Sequence, residues 1–266
     1  MFIEPSTRAR PKVGRRTVVR SVVWSAPVIA IAAPAPAPAF AASCTQLYAG
    51  TLNWASPASY TRNSTTSGTG SITASNGQVI GVTLASTFAN YSPNATSTDN
   101  TPNLGVTTPV GGTGASGLTI CQNANGTGTS SLTNNPAFNQ SLQVRFNRTV
   151  RNVSFTLTDV DSGAGQYLDA IVITGAAFSS SFPAGSTVIG TGTTTSNPFR
   201  QSSPNTPYDN GVSPGGNVLI TLPGPLTAFT IVYWNAIPPA NVTVDPTRQT
   251  VFVSNMSASV FNAGCP

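Results

Sequence analysis

The chain contains no histidine, and its single lysine and single glutamate, Lys12 and Glu4, both lie near the N-terminus. Without His, neither a Ser–His–Asp nor a Cys–His site can be built. Zinc sites made with imidazole are excluded as well. Without Lys beyond residue 12, Schiff-base chemistry and a P-loop are excluded too. Cysteine is sparse: Cys44, Cys121 and Cys265 are scattered with no C-x-x-C spacing, so thiolates do not replace the missing imidazoles. Charged residues make up only 7% of the chain. What can carry chemistry is Asp, Tyr, Ser, Thr and Cys. A long hydrophobic run is also missing. The most apolar stretch, Val22 to Ala33, falls short of the roughly 20 residues that span a bilayer. Pro27, Pro34, Pro36 and Pro38 interrupt any helix there, so no stable membrane span is expected.

What charge there is lies unevenly. Arg8, Arg10, Lys12, Arg15, Arg16 and Arg20 stand against Glu4 and account for the whole net charge of +5. Beyond them, six arginines meet six aspartates, and the balance is zero. The pI of about 9.5 therefore does not signal a nucleic-acid partner, because no basic excess is left to neutralise phosphates. A basic segment, a short apolar run and the small-residue exit Ala39-Phe40-Ala41 are the three parts of a secretory signal. They predict a signal peptide over 1–41, cleavage after Ala41, and a secreted or cell-surface domain over 42–266. Gly14-Arg15-Arg16-Thr17-Val18-Val19-Arg20 resembles a twin-arginine signal, with Gly14 and Val18 departing from the usual residues; the general secretory route stays open. Ala41-Ala42-Ser43 before Cys44 lacks the aliphatic residue of a lipid-anchor signal.

Removing 41 of the 266 residues leaves 225, enough for one large domain. No segment joins helical apolar spacing to helix formers. Strand patterns recur instead: Leu47 to Ala55, Gln78 to Phe88, the alternations Leu142/Val144/Phe146 and Val153/Phe155/Leu157, the apolar run Leu168 to Thr174, then Val218 to Leu222, Phe229 to Trp234 and Gln249 to Phe261. Gly, Pro, Asn and Ser clusters separate them. Together they predict an all-β, antiparallel β-sandwich or jelly-roll-like domain, with long loops near 92–117 and 191–216. In an oxidising compartment one disulfide is expected. Domain termini often lie close together, which favours Cys44–Cys265, with Cys44–Cys121 as the alternative. The frequent Asn-x-Ser/Thr triplets follow from a composition rich in those residues.

The most distinctive segment is Val153-Ser154-Phe155-Thr156-Leu157-Thr158-Asp159-Val160-Asp161-Ser162-Gly163, followed by Tyr167-Leu168-Asp169. Half of the six aspartates beyond the signal fall between residues 159 and 169. This segment, with Trp24-Ser25-Ala26-Pro27-Val28-Ile29 of the signal, resembles secreted β-sandwich surface proteins of actinobacteria, in which a strand ends in an Asp-x-Asp turn. The resemblance covers about 25 residues plus the signal and implies location and fold, not an activity. Three roles compete for Asp159, Asp161 and Asp169. They could cap turns by accepting backbone N–H bonds. They could hold Ca²⁺, which takes several carboxylate and carbonyl oxygens. Two of them could form a glycosidase acid/base pair, although an exposed Asp-x-Asp turn is too solvated to raise a pKa. Trp54, Tyr60, Tyr91, Tyr208, Tyr233 and Trp234 are candidate sugar platforms; Trp54 and Trp234 sit in strand patterns and suit a core, and Tyr91 and Tyr208 suit a surface.

These features predict a non-enzymatic secreted or cell-surface protein for binding, adhesion or structure, with a cell-wall or extracellular glycan or protein as partner. The alternative is a carbohydrate-active enzyme or sugar-binding module using Asp159, Asp161 and Asp169.

Overall fold

A computed structural model describes residues 44–92, 101–124, 134–208, 211–238 and 249–263. Residues 1–41, expected above to be a signal peptide, and Cys265, Asp99, Asp209, Asp245 and Arg248 lie outside the described residues.

No helix occurs among the described residues, as expected where helix formers are scarce. The strands are β1 (Tyr48–Leu52), β2 (Tyr60–Arg62), β3 (Ser67–Thr73), β4 (Val79–Ala89), β5 (Tyr91–Ser92), β6 (Val106–Thr107) and β7 (Gly117–Ala124). A 20-residue strand follows, β8 (Asn139–Thr158), then β9 (Ser162–Gly163) and β10 (Tyr167–Thr174). The remainder are β11 (Ser179–Ser181), β12 (Val188–Ile189), β13 (Arg200–Gln201), β14 (Val218–Leu222), β15 (Leu226–Asn235), β16 (Gln249–Ser254) and β17 (Met256–Val260). The pairings are antiparallel, and the fold is an all-β sandwich.

Strand β8 belongs to both layers. Its first half lies between β4 and β15, with Val144 opposite both Leu84 and Phe229. Its second half lies between β14 and the β16–β17 line, with Leu157 opposite both Val218 and Val253. The burial pattern marks the change. Leu142, Val144 and Phe146 face inward at even positions, and Val153, Phe155 and Leu157 face inward at odd ones. The alternation breaks at Asn147-Arg148-Thr149, which are exposed, and the phase changes between Val150 and Val153 at Asn152, whose φ is 50°. Extra residues on one strand bend it and increase its twist; here the pairing with β15 shifts between Leu226↔Val150 and Ala228↔Arg145. Two short alternating segments of sequence are thus one bent strand that crosses from sheet to sheet.

The bend lets the layers close on a shared core. Phe155 of β8 stacks on Phe229 of β15, with centroids 5.4 Å apart and planes 14° apart. Trp54 meets Tyr60 edge-on at 5.1 Å. The continuous apolar run of β10 is buried on both faces. Ile171 and Ile173 join the main core, and Ala170 and Val172 pack with Tyr91 and Trp234 in a second cluster.

The two stretches expected to be long loops are built in. Within 101–117, Asn103 is fully buried. Its amide donates to the Thr65 carbonyl at 2.6 Å and accepts from the Cys121 amide at 2.9 Å and from Gln140 Nε2 at 2.8 Å. Within 191–216, Phe199 pairs with Ile171 through two backbone bonds of 3.0 and 2.9 Å, and both Phe199 and Gln201 are buried. Polar side chains that satisfy buried backbone groups let irregular chain enter an interior; periodicity does not reveal them. Cys121 is a buried thiol that accepts from Thr250 Oγ1 at 3.4 Å, which removes the Cys44–Cys121 pairing.

Candidate functional site

The site lies where β8 ends. Asp159 takes φ of 63°, a left-handed conformation that Asp tolerates better than most residues. The reversal sends Val160 into the core. Its amide donates to the Gly216 carbonyl at 3.1 Å and its carbonyl accepts from Gln201 Nε2 at 2.6 Å. Residue 216 must be glycine, because a Cβ there would sit 2.7 Å from the Val160 nitrogen. Asp161 follows, then β9 turns through Gly165, at φ 69°, into β10.

Asp161 and Asp169 meet at the base of this hairpin. The Asp169 amide donates to the Asp161 carbonyl at 3.0 Å, and the Asp161 amide donates to Asp169 Oδ2 at 3.2 Å. The two carboxyl groups lie near enough for each to change the other's proton affinity. Tyr167 Oη donates to Asp161 Oδ2 at 3.2 Å, and the Tyr208 amide donates to the same oxygen at 2.9 Å. Tyr233, from β15, donates its hydroxyl to Asp169 Oδ1 at 2.6 Å. Asp161 is 4% exposed and Asp169 0%.

Burial sets the electrostatics. It pushes the Asp161 carboxyl up to about 6, against the opposing hydrogen bonds from the Tyr208 amide, Tyr167 and Asp169. Asp169 is raised well above the usual carboxylate range, first by burial and then by the charge of Asp161 beside it; Tyr233 and the Asp161 amide act the other way. Burial and the adjoining carboxylates also raise the phenols of Tyr167 and Tyr233, which keeps both as donors. Two neighbouring carboxyl groups in a buried site favour retaining a proton, because both cannot ionise cheaply.

The expectation of a solvated Asp-x-Asp turn is therefore corrected: the turn folds inward, and the strained backbone at Asp159 is what directs it. Asp161 and Asp169 converge. Asp159 is half-buried, and among the described residues no group of three or more acidic or thiol side chains is arranged to hold a metal. The oxygens of the pair already accept from tyrosines and amides, whereas Ca²⁺ takes about six to eight oxygen ligands. A glycosidase acid must also meet a sugar in a cleft, whereas both carboxyls of this pair are buried.

The partners were not legible in sequence. Tyr167 adjoins Asp169 in the chain, but nothing in the sequence ties Tyr208 or Tyr233 to the cluster. Among the aromatic candidates, Trp54, Tyr60, Tyr91, Tyr233 and Trp234 are buried. Tyr91, expected on the surface, instead accepts from the Asn235 amide at 3.4 Å, and burial pushes its phenol up to about 12. Tyr208 is half-buried and lies against Gly215, where a Cβ would come within 2.2 Å of its ring.

The even charge count conceals an uneven placement. Asp159, Asp161 and Asp169 are the only carboxylate side chains among the described residues, and all turn inward. Arg145 and Arg148 of β8 are exposed, and Arg151 is half-exposed. No helix among the described residues is long and apolar enough to cross a membrane. Comparison with protein-family models, with curated proteins and with solved structures gives no match to this chain.

Proposed function

We propose that this protein is a secreted or cell-surface β-sandwich that serves binding, adhesion or structure and does not catalyse a reaction. The observation that carries this reading is the enclosure of Asp161 and Asp169, at 4% and 0% exposure, with tyrosine and backbone donors bonded to both. A general acid must reach the proton acceptor on its substrate, and among the described residues both carboxyls of this pair are buried. With His absent and no Lys or Glu beyond residue 12, the described residues hold no carboxylates besides Asp159, Asp161 and Asp169. The cluster then acts as a brace that ties the end of β8 to β10 and β15.

Export is proposed from the signal features of residues 1–41, with N-terminal sequencing of the exported protein expected to begin at or within two residues of Ala42. The functional reading is tested by incubating the protein with a panel of neutral and acidic polysaccharides and assaying released reducing ends, with Asp161→Asn alongside. No turnover by either protein is expected. Turnover by the wild type that Asp161→Asn abolishes would establish the carbohydrate-active enzyme instead.

A further inference from the structure

The bend of β8 does more than join the sheets. Its exposed residues Asn147-Arg148-Thr149, together with Arg151, line a groove of about 400 Å³ whose far wall is Ser259 to Ala263, beyond and at the end of β17. The Arg151 guanidinium lies 5.2 Å from the centroid of the Phe261 ring. Arg148 spends one N–H on Gln78 Oε1. A guanidinium carries five donors, so both arginines keep most of theirs. Gln78 and Asn262, also in the wall, are held in place: Gln78 Nε2 donates to the Phe261 carbonyl at 3.0 Å, and Asn262 Oδ1 accepts from Asn76 at 3.0 Å. A second groove adjoins through Asn147 and contains Arg145. Asn147 itself is fixed by accepting from the Gly81 amide at 2.9 Å.

We propose that this stripe is a binding surface for an acidic polysaccharide of the uronate type, with Arg148 and Arg151 pairing with ligand carboxylates. The charge is unspent: neither arginine meets a carboxylate among the described residues, because the aspartates described there turn inward at the far end of the same strand. The guanidinium fork matches a carboxylate with two parallel hydrogen bonds. The aromatic ring of Phe261 holds one guanidinium from behind, which reduces the freedom lost on binding. The remaining lining consists of amides and hydroxyls, suited to sugar hydroxyls. Arg145, Arg148 and Arg151 span at most roughly 20 Å of strand, which fits a polymer bearing a charge on each sugar. A nucleic acid fits less well, since the sequence beyond the signal has no net positive charge to draw a polyphosphate.

The surface lies away from Asp161 and Asp169, so it goes beyond the reading above and stands or falls separately from it. The test is calorimetric titration of the full-length protein with tetragalacturonate, with its carboxyl-reduced counterpart, and with a polyphosphate of equal charge. Tetragalacturonate should bind at least tenfold more tightly than either, and more weakly as salt rises. Arg148→Gln and Arg151→Gln should each weaken binding by about tenfold, with Arg200→Gln, on β13, unchanged. Melting curves accompany each variant; should Arg151→Gln lose its fold, the exposed Arg148→Gln carries the test. No binding at millimolar tetragalacturonate, equal binding of the reduced sugar, a preference for polyphosphate, or full affinity in folded Arg148→Gln would overturn the proposal.

Discussion

Asp161 and Asp169 grip each other twice through the backbone. The amide of each donates to the other residue, 3.2 Å to the Asp169 carboxyl and 3.0 Å to the Asp161 carbonyl. Their side chains are thereby held near each other and largely out of solvent. Such a pair makes the folded state hold protons that the unfolded chain has released.

The consequence for pH has a definite sign. An unfolded Asp titrates near 3.9, and folded Asp161 near 6, with Asp169 also raised. Between these values the native state binds more protons than the unfolded state, so stability falls as pH rises. It is fullest below about pH 4 and is lost as pH passes through about 6. Among the described residues the groups facing the pair are Asp159 and the phenols of Tyr167 and Tyr233, both raised, and none of them is a base. Scanning calorimetry should give a Tm roughly 5–10 °C higher at pH 4 than at pH 7.5. Asp161→Asn keeps an acceptor for Tyr167 and Tyr208 and removes one charge, so its Tm should vary less with pH. A wild-type Tm that rises with pH would contradict the retained proton.

Tyr233→Phe removes a buried donor from Asp169 at 2.6 Å. A buried hydrogen bond to a carboxyl contributes roughly 1–3 kcal/mol. The variant should be destabilised by about that amount in urea unfolding. No loss would show that the Tyr233 bond does not hold the fold.

Phe229→Ala opens the centre of the sandwich, where Phe229 stacks on Phe155 and also meets Phe146 at 6.4 Å. Truncating a buried Phe costs about 3–5 kcal/mol, read as a lower urea midpoint. A loss below about 1 kcal/mol would mean that the layers close around the gap.

The chain ends are expected to be joined. Tyr48 pairs with Val260 in the β1–β17 ladder, and Cys44 precedes Tyr48 by four residues while Cys265 follows Val260 by five. Non-reducing peptide mapping should recover Cys44 linked to Cys265, and reduction should cost roughly 2–5 kcal/mol. Cys121, buried between β7 and β16, should react with a thiol reagent only on unfolding. A Cys44–Cys121 peptide would refute the pairing.

Fold class was legible from local pattern. Alternation at Leu142/Val144/Phe146 and Val153/Phe155/Leu157 identifies strands because side chains on a strand face opposite sides in turn. The even run of β10 signals burial on both faces for the same reason. Composition also excluded histidine and lysine chemistry without any structure, because an absent side chain cannot act. Three things depended on distant parts of the chain. The two alternating segments are one strand because β4 and β15 flank one half while β14, β16 and β17 flank the other. The stretch around Asn103 is core because Thr65, Cys121 and Gln140 supply its partners. The character of Asp161 and Asp169 comes from Tyr208 and Tyr233, 47 and 64 residues away. A carboxyl's proton affinity depends on its dielectric surroundings and neighbouring donors, which tertiary contacts supply and local sequence does not encode. Sequence alone therefore determined which groups this protein possesses, and only the packed sandwich decided that Asp161 and Asp169 turn inward while Arg145 and Arg148 face solvent.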